Sequence, residues 1–489
     1  MFIFLITKTL RDEKNFVITI KKIETLLQIW RQRELTLDGK ITIFKSLAIS
    51  KIVYLAYLSD VPKYVIEELQ KIQNSFIWNG KRAKIKHKTL CNSYEKGGLQ
   101  SVDIEVKIKA LQFSWVQRLF DDNEHQWKAI PRYLLKCAFN DTIVFHPHFC
   151  PPANSLSSFP LFYQNIINTW NECSTKPLIS RNILDQCIWH NAFLRIENKP
   201  FYFSSFAEAN LNYVYQFFSP NGRIKDWITM KNEFDLNDRD YFKYRQIAHS
   251  IPSNWKTLIF ESPLEFDGQI HRKGILQVTT LYTLEKLSSK QFYWAFIRKR
   301  DFTPTSQIYY EDLYDIDKKN WLQIYLLPRR ITQNAYYRIF QYKILNNTLY
   351  LNKKLYLFGK SETSLCSFCE NTDEDVRHLF SSCQSTMNLW LQLKTFLEPH
   401  LTLPFLNTKN ALLGFYDNDL EHAVLVNHIL LIFKIYVYRS RSNKALNIND
   451  LKEKILEIAK LEISTISISD ENILSIRADK WRPLNVLLS

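Results

Sequence analysis

Four residues in the last third of the sequence have the types and spacing of a metal site. They are Cys366, Cys369, His378 and Cys383, in the pattern Cys-x2-Cys-x8-His-x4-Cys. Zinc takes four nitrogen or sulfur ligands in a tetrahedron, and a Cys-x2-Cys pair presents two thiolates from one tight turn. Four protein ligands leave no open position, so the chemistry implied is structural rather than catalytic. Asp373, Glu374 and Asp375 precede the histidine. Carboxylates favour a helix N-terminus, so the run predicts a short helix carrying His378. The competing reading is buried free thiols beside an unrelated histidine.

A second set has the chemistry of polyanion binding. Lys81, Arg82, Lys84, Lys86, His87 and Lys88 follow Trp78 in one loop. Closely spaced cations release counterions from a phosphate backbone, and a neighbouring aromatic ring can stack on a base. Arg31 and Arg33, with Lys40 and Lys45 on the next helix, form a further basic set. Taken alone, such a set is more often a solvated face. Two weaker clusters are set aside. His146, His148 and Cys150 alternate, but Pro147 and Pro151 make an ordinary loop the better reading. Glu311, Asp312, Asp315 and Asp317 lack the glycine and spacing of a cation-binding loop.

The whole composition agrees with the second set. The net charge is +15 over 489 residues, which points to nucleic acid or an anionic membrane surface. Only nine residues are glycine, and neither Gly-x-Gly-x-x-Gly nor Gly-x-x-x-x-Gly-Lys-Ser/Thr occurs. Those loops need glycine where the backbone approaches a phosphate, so no nucleotide cofactor is expected. The start lacks a basic segment and a small-residue cleavage site. The longest apolar stretch, Ala423 to Tyr438, is interrupted by Asn427, His428 and Lys434. It is expected to be a buried helix rather than a membrane span. The eight cysteines are then thiols or metal ligands in a reducing compartment, and the protein is expected in the nucleus, the cytoplasm or both.

The elements that must position these groups read as helices. Ile23, Leu26, Leu27 and Trp30 share one stripe, and a second helix is expected from about Leu37 to Leu58. Val65, Ile66, Leu69, Ile72, Phe76 and Ile77 mark a third, closed by Asn79-Gly80. After a Gly97-Gly98 turn, a helix from Asp103 to Phe120 carries Ile104, Ile108, Leu111, Trp115 and Leu119. Residues 123–329 are less regular and punctuated by proline. Beyond Arg330 one long helical pattern with Tyr336, Ile339, Phe340 and Ile344 ends by Gly359. The prediction is a mainly α, multi-domain helical protein with a small CCHC zinc knuckle, residues 362–384, near its C-terminus. The expected domains are 1–122, 123–329 and 330–489.

Several ordered motifs resemble LINE-type (non-LTR) retrotransposon reverse transcriptases. Trp30-Arg31-x-Arg33-x-Leu35-Thr36-Leu37-x-Gly39-Lys40-Ile41 is similar to the segment after the polymerase palm, as are Phe76-Ile77-Trp78-Asn79-Gly80-Lys81 and Tyr94-x-x-Gly97-Gly98-Leu99. Ile188-Trp189-His190-Asn191 through Asn198-Lys199-Pro200-Phe201 resembles the middle region. Phe340-Gln341-Tyr342-Lys343-Ile344-Leu345, Leu365-Cys366-Ser367-Phe368-Cys369 and His378-Leu379-Phe380 resemble, in order, the C-terminal zinc-binding segment. Leu412-Leu413-Gly414-Phe415 and Lys480-Trp481 extend the likeness to nearly the whole chain. Asp38 departs from the apolar residue expected there.

The resemblance implies a thumb over residues 1–122 that grips the template–primer duplex and a C-terminal region that binds element RNA or target DNA. It also implies that the endonuclease and the polymerase fingers and palm lie upstream. Leu119-Phe120-Asp121-Asp122 does not replace them, because the aromatic is one position late for the aromatic-x-Asp-Asp of polymerases and the pair ends a helix. No catalytic residue is therefore expected. Two alternatives remain: a truncated reading of a full-length RNA-directed DNA polymerase acting in target-primed reverse transcription, and a host-adopted zinc-binding module for protein interaction.

Overall fold

Apolar residues at helical spacing become helices wherever the stripe is long. Val65, Leu69, Ile72, Phe76 and Ile77 are buried along Lys63–Trp78, and Ile104, Ile108, Leu111, Trp115 and Leu119 along Ile104–Leu119. The computed structural model describes residues 10–119, 125–139, 149–150, 152–157, 159–173, 183–184, 186–261, 288–300, 302–416, 420–466 and 479–488. Among these the regular structure is helical, with isolated antiparallel bridges but no strands. His146, His148, Phe120, Asp121 and Asp122 lie outside the described residues.

Two compact units divide the chain, each assembled from separate stretches. One comprises residues 1–23, 49–70 and 103–300, the other 24–48, 71–102 and 301–489. This grouping differs from the consecutive division 1–122, 123–329 and 330–489. The physical reason is long-range burial: in the second unit Ile41, Ile77, Ile85, Leu90 and Leu99 pack in one cluster with Ile339 and Tyr342. Apolar stripes give helix faces but not the distant partner that covers them.

The first unit is built around aromatic packing. Phe113 stacks on Trp170 at 6.1 Å and takes Phe292 and Phe296 edge-on at 4.9 and 5.7 Å. Trp115 stacks on Tyr57 and donates its indole N–H to the Tyr57 carbonyl at 2.8 Å. Such pairs satisfy the polar edge of a ring while burying its face.

The second unit places the helices Trp321–Ile331, Ala335–Leu345, Gln384–Leu397, Ala423–Ser440 and Ile448–Ile466 around one apolar core. Two sequence expectations change here. The helix expected across Leu37 to Leu58 is broken, with Leu37–Ile43 passing through a wide turn, Phe44–Ala48, before Ser50–Leu58. The pattern expected to run on toward Gly359 stops at Leu345, turns through Asn346 and Asn347, and resumes as Asn352–Leu357. Asn347 adopts a φ of 48°, a left-handed conformation that asparagine tolerates, and Thr348 N closes the turn on the Lys343 carbonyl at 2.8 Å. Asp38, the departure noted above, pairs with Arg329 at 3.2 Å.

The Ala423–Ser440 helix is long and apolar enough to cross a membrane by length and composition alone, yet 67% of it is buried in the protein. Two of its polar interruptions have protein partners. Asn427 bonds the Phe415 backbone through both its amide oxygen and nitrogen at 2.8 Å. Lys434, 2% exposed, donates to Gln341 Oε1 at 2.6 Å and to the Ala411 carbonyl at 3.1 Å. Burial lowers its pKa from 10.5 to about 7. Between those values the unfolded chain binds the extra proton, so stability rises with pH by about 1.4 kcal/mol per unit from this group. Denaturant titrations from pH 7 to 10 are expected to show that rise in the wild type relative to Lys434→Met; parallel curves would contradict it.

Candidate metal centre

The metal-site residues sit on three short pieces of backbone. Cys366 and Cys369 lie on a turn in which Glu370 N donates to the Cys366 carbonyl at 3.0 Å and Phe368 N approaches the Cys366 sulfur at 3.5 Å. The turn is tied at its base by Cys366 N to the Thr372 carbonyl and Glu374 N to the Ser364 carbonyl, both 2.8 Å. Glu370 has a φ of 54°, the conformation that lets the chain reverse directly after the second cysteine. His378 begins a single wide helical turn, His378–Ser382, which closes through Cys383 N to the His378 carbonyl at 2.8 Å. Such wide turns recur at functional positions. Cys383 immediately precedes the Gln384–Leu397 helix, whose Leu389, Trp390, Leu393 and Leu397 anchor it in the core.

The four donor atoms converge, all within 4.8 Å of one another. The Cys366 and Cys383 sulfurs are 3.8 Å apart, and Cys369 Sγ lies 3.3 Å from His378 Nε2. Zinc–sulfur bonds of about 2.3 Å set a tetrahedral sulfur–sulfur edge of about 3.8 Å, and a sulfur–nitrogen edge slightly shorter. The residues therefore fit zinc, and the four are positioned to bind a metal ion. As protonated groups they are an awkward set. The hydrogen bond between Cys366 and Cys383 pushes one thiol of the pair, Cys366, well up and holds the other, Cys383, down; backbone N–H groups of Thr386 and Ser385 also favour the Cys383 thiolate. A divalent ion in the proton's place satisfies both sulfurs.

The acidic run contributes differently from its expected capping role. Asp375 does cap the turn, accepting from His378 N at 2.8 Å. Asp373 pairs with Lys353 at 3.1 Å and accepts from Ser364. Glu374 instead points inward with its side chain fully buried. Its carboxylate accepts from Ser367 N at 2.9 Å and Asn352 N at 3.0 Å, and pairs with Arg441 at 2.6 Å. Arg441 in turn donates to Asn352 Oδ1 and to the Tyr350 carbonyl. Glu374 thus joins the Cys-x2-Cys turn, the Asn352–Leu357 helix and the end of the Ala423–Ser440 helix. Sequence reasoning missed this role; three consecutive acids carry no signal of which one turns inward.

The basic groups divide by exposure. Lys81, Arg82, Lys84, Lys86 and Lys88 are exposed, as are Arg31, Arg33 and Lys45. Arg31 donates to Ser75 Oγ at 2.8 Å, and Arg33 lies over Trp30 at 5.1 Å. Lys40 is a departure from the expected exposed set: it is 8% exposed and bonds Asn79 Oδ1 at 2.5 Å. His87 is half-buried with Nε2 3.2 Å from Gln73 Oε1, and Trp78 packs against the cluster of Ile77, Ile85 and Ile339. Glu311 and Asp317 serve local structure, Glu311 accepting from Gln307 and Asp317 from Lys319 N. Cys150 donates its backbone N–H to the His190 carbonyl.

Residues 309–390, which contain all four metal-site residues, match a family model described as zinc-binding in reverse transcriptase. The match names the metal that the donor set and its spacing favour, and it relates the chain to reverse transcriptases through this zinc-binding segment.

Proposed function

We propose that this chain is the nucleic-acid-gripping portion of a LINE-type (non-LTR) retrotransposon reverse transcriptase. In this reading the zinc knuckle holds the C-terminal unit in shape. The exposed cations of the 81–88 loop contact the phosphates of RNA or DNA, a template–primer or the element RNA, in the manner of a thumb. Phosphate contacts position a strand without reading its sequence. The reading gives the chain no catalytic step of its own, and places it in the nucleus or cytoplasm.

The observation that carries the proposal is that the basic loop and the zinc segment share one compact unit: residues 71–102 group with 301–489. A metal-braced fold carrying five exposed cations in eight residues has the electrostatic footprint of a backbone binder.

The test is a titration of labelled RNA, single-stranded DNA and primer–template at several salt concentrations. If the five loop cations each neutralise one phosphate, log affinity falls against log salt with a slope of about −3.5 for a single strand and about −4.5 for a duplex. Replacing Lys81, Arg82, Lys84 and Lys86 together by glutamine should flatten that slope. Weak binding with no salt dependence would remove nucleic acid as the partner.

A further inference from the structure

The turn that splits the expected long helix brings together lysines that the sequence keeps far apart. Lys84 Nζ sits 3.7 Å above the ring of Tyr350. Lys343 lies at the end of Ala335–Leu345, beside Tyr342, which shares a cluster with Ile85. Lys354 reaches back across the turn to the Asn347 carbonyl and to Asn347 Oδ1 at 2.9 Å. The charge of Lys84 helps lower the pKa of both Lys343 and Lys354, after burial, which is the larger cause for each. That influence supports the closeness of the three ammonium groups.

The Asp375 charge partly offsets that lowering at Lys354, but the neighbouring carboxylates make their contact pairs elsewhere. Glu374 pairs with Arg441, and Asp375 with Arg377 at 3.6 Å while also capping His378. Among the described residues none of the three lysines forms an ion pair. Tyr350 remains 39% exposed, and its carbonyl is held by Arg441 at 3.1 Å and by the Tyr438 hydroxyl at 3.4 Å. Like charges repel, yet Lys84 is held over the Tyr350 ring and Lys354 on the Asn347 carbonyl rather than dispersed into solvent, with half-buried Lys343 on the helix end beside them. Such a preset cluster is stabilised by an anion that touches all three.

We propose that Lys84, Lys343 and Lys354, arranged around Tyr350, form a binding site for the phosphodiester backbone of a single nucleic-acid strand beside the metal centre. The exposed tyrosine ring distinguishes such a strand from a free phosphate, because a base next to the bound phosphate can stack on it. The inference rests on the nucleic-acid reading above and deepens it: the strand leaves the 81–88 loop and continues onto the helix ends that flank the zinc segment.

Acetylation of the wild-type protein, read lysine by lysine by mass spectrometry, tests this without any substitution. A single-stranded RNA oligonucleotide should protect Lys84, Lys343 and Lys354, while exposed Lys318 and Lys460 stay reactive. Inorganic phosphate at equal ionic strength should protect none. In parallel, Lys343→Gln/Lys354→Gln should weaken RNA binding about tenfold at low salt and make the salt slope shallower by about 1.4. Lys318→Gln/Lys460→Gln should change neither. Tyr350→Leu should weaken binding by roughly tenfold for RNA but not for inorganic polyphosphate. If wild-type binding shows no salt slope, the nucleic-acid reading itself fails. If the slope is present but the Lys343/Lys354 variant behaves like the Lys318/Lys460 control, or the three lysines stay reactive under RNA, this site is overturned while the broader reading stands. Protection of the three lysines by inorganic phosphate equal to that by RNA, or a silent Tyr350→Leu, would overturn the assignment to a strand.

Discussion

Cys383→Ser is expected to take the zinc content from about one per chain, the stoichiometry of a single four-ligand site, to near zero. The reason lies in what Cys383 joins. Its sulfur is 3.8 Å from that of Cys366, and its backbone is both the close of the His378 turn and the start of the Gln384–Leu397 helix. Structural zinc in small modules contributes about 10–16 kcal/mol of apparent binding free energy at neutral pH. This segment leans on a larger apolar core, so part of it survives metal loss. Even so, a destabilisation of about 4 kcal/mol or more is expected, against about 1 kcal/mol if the four residues were merely thiols with one weak hydrogen bond. Chelator sensitivity separates the same alternatives. The wild type should lose stability in a strong chelator and Cys383→Ser should not respond.

The second large effect belongs to a residue that never touches the metal. Glu374→Ala should cost about 3–5 kcal/mol, because removing one partner of a buried pair leaves the other charge uncompensated. The side chain of Glu374 is fully buried and that of Arg441 is 11% exposed. The loss would also orphan the N–H groups of Ser367 and Asn352. Glu374→Gln keeps an acceptor and should recover part of the loss. The double variant Glu374→Ala/Arg441→Met should be more stable than Glu374→Ala alone, since it removes the stranded guanidinium. Denaturant unfolding gives the stabilities, and the rate of zinc release to a chromogenic chelator should rise in Glu374→Ala. A Glu374→Ala protein with wild-type stability and zinc release would show that the carboxylate does not brace the turn.

How much of this could be read before the fold was known depends on the range of the interaction involved. The metal-site residues were legible because a chelate demands donor types at short, fixed spacing, and all four fall within eighteen residues. The helices Lys63–Trp78 and Ile104–Leu119 were legible because a buried stripe repeats at helical period. The interleaving of the two units was not, since nothing local tells Ile41 or Ile85 that Ile339 will cover it. Nor was the break after Leu345, where the alternating apolar pattern continues while Asn346 and Asn347 provide the turn. That break puts Tyr350 beneath Lys84 and lets Lys354 reach back to Asn347, contacts that no local pattern in the basic loop announces. Lys40 misled for a related reason: a lysine on a helix is exposed by default, and only the arrival of Asn79 gives it a buried partner.

A zinc-held fold that grips nucleic acid should loosen that grip when the metal is removed. One salt titration of labelled RNA, run on zinc-loaded protein and on the same preparation stripped by chelator and then reloaded, tests it most directly. The loaded protein should lose affinity steeply with salt, the stripped protein should bind more weakly with a shallower slope, and reloading should restore both. Identical curves for loaded and stripped protein, or no salt dependence in either, would contradict it.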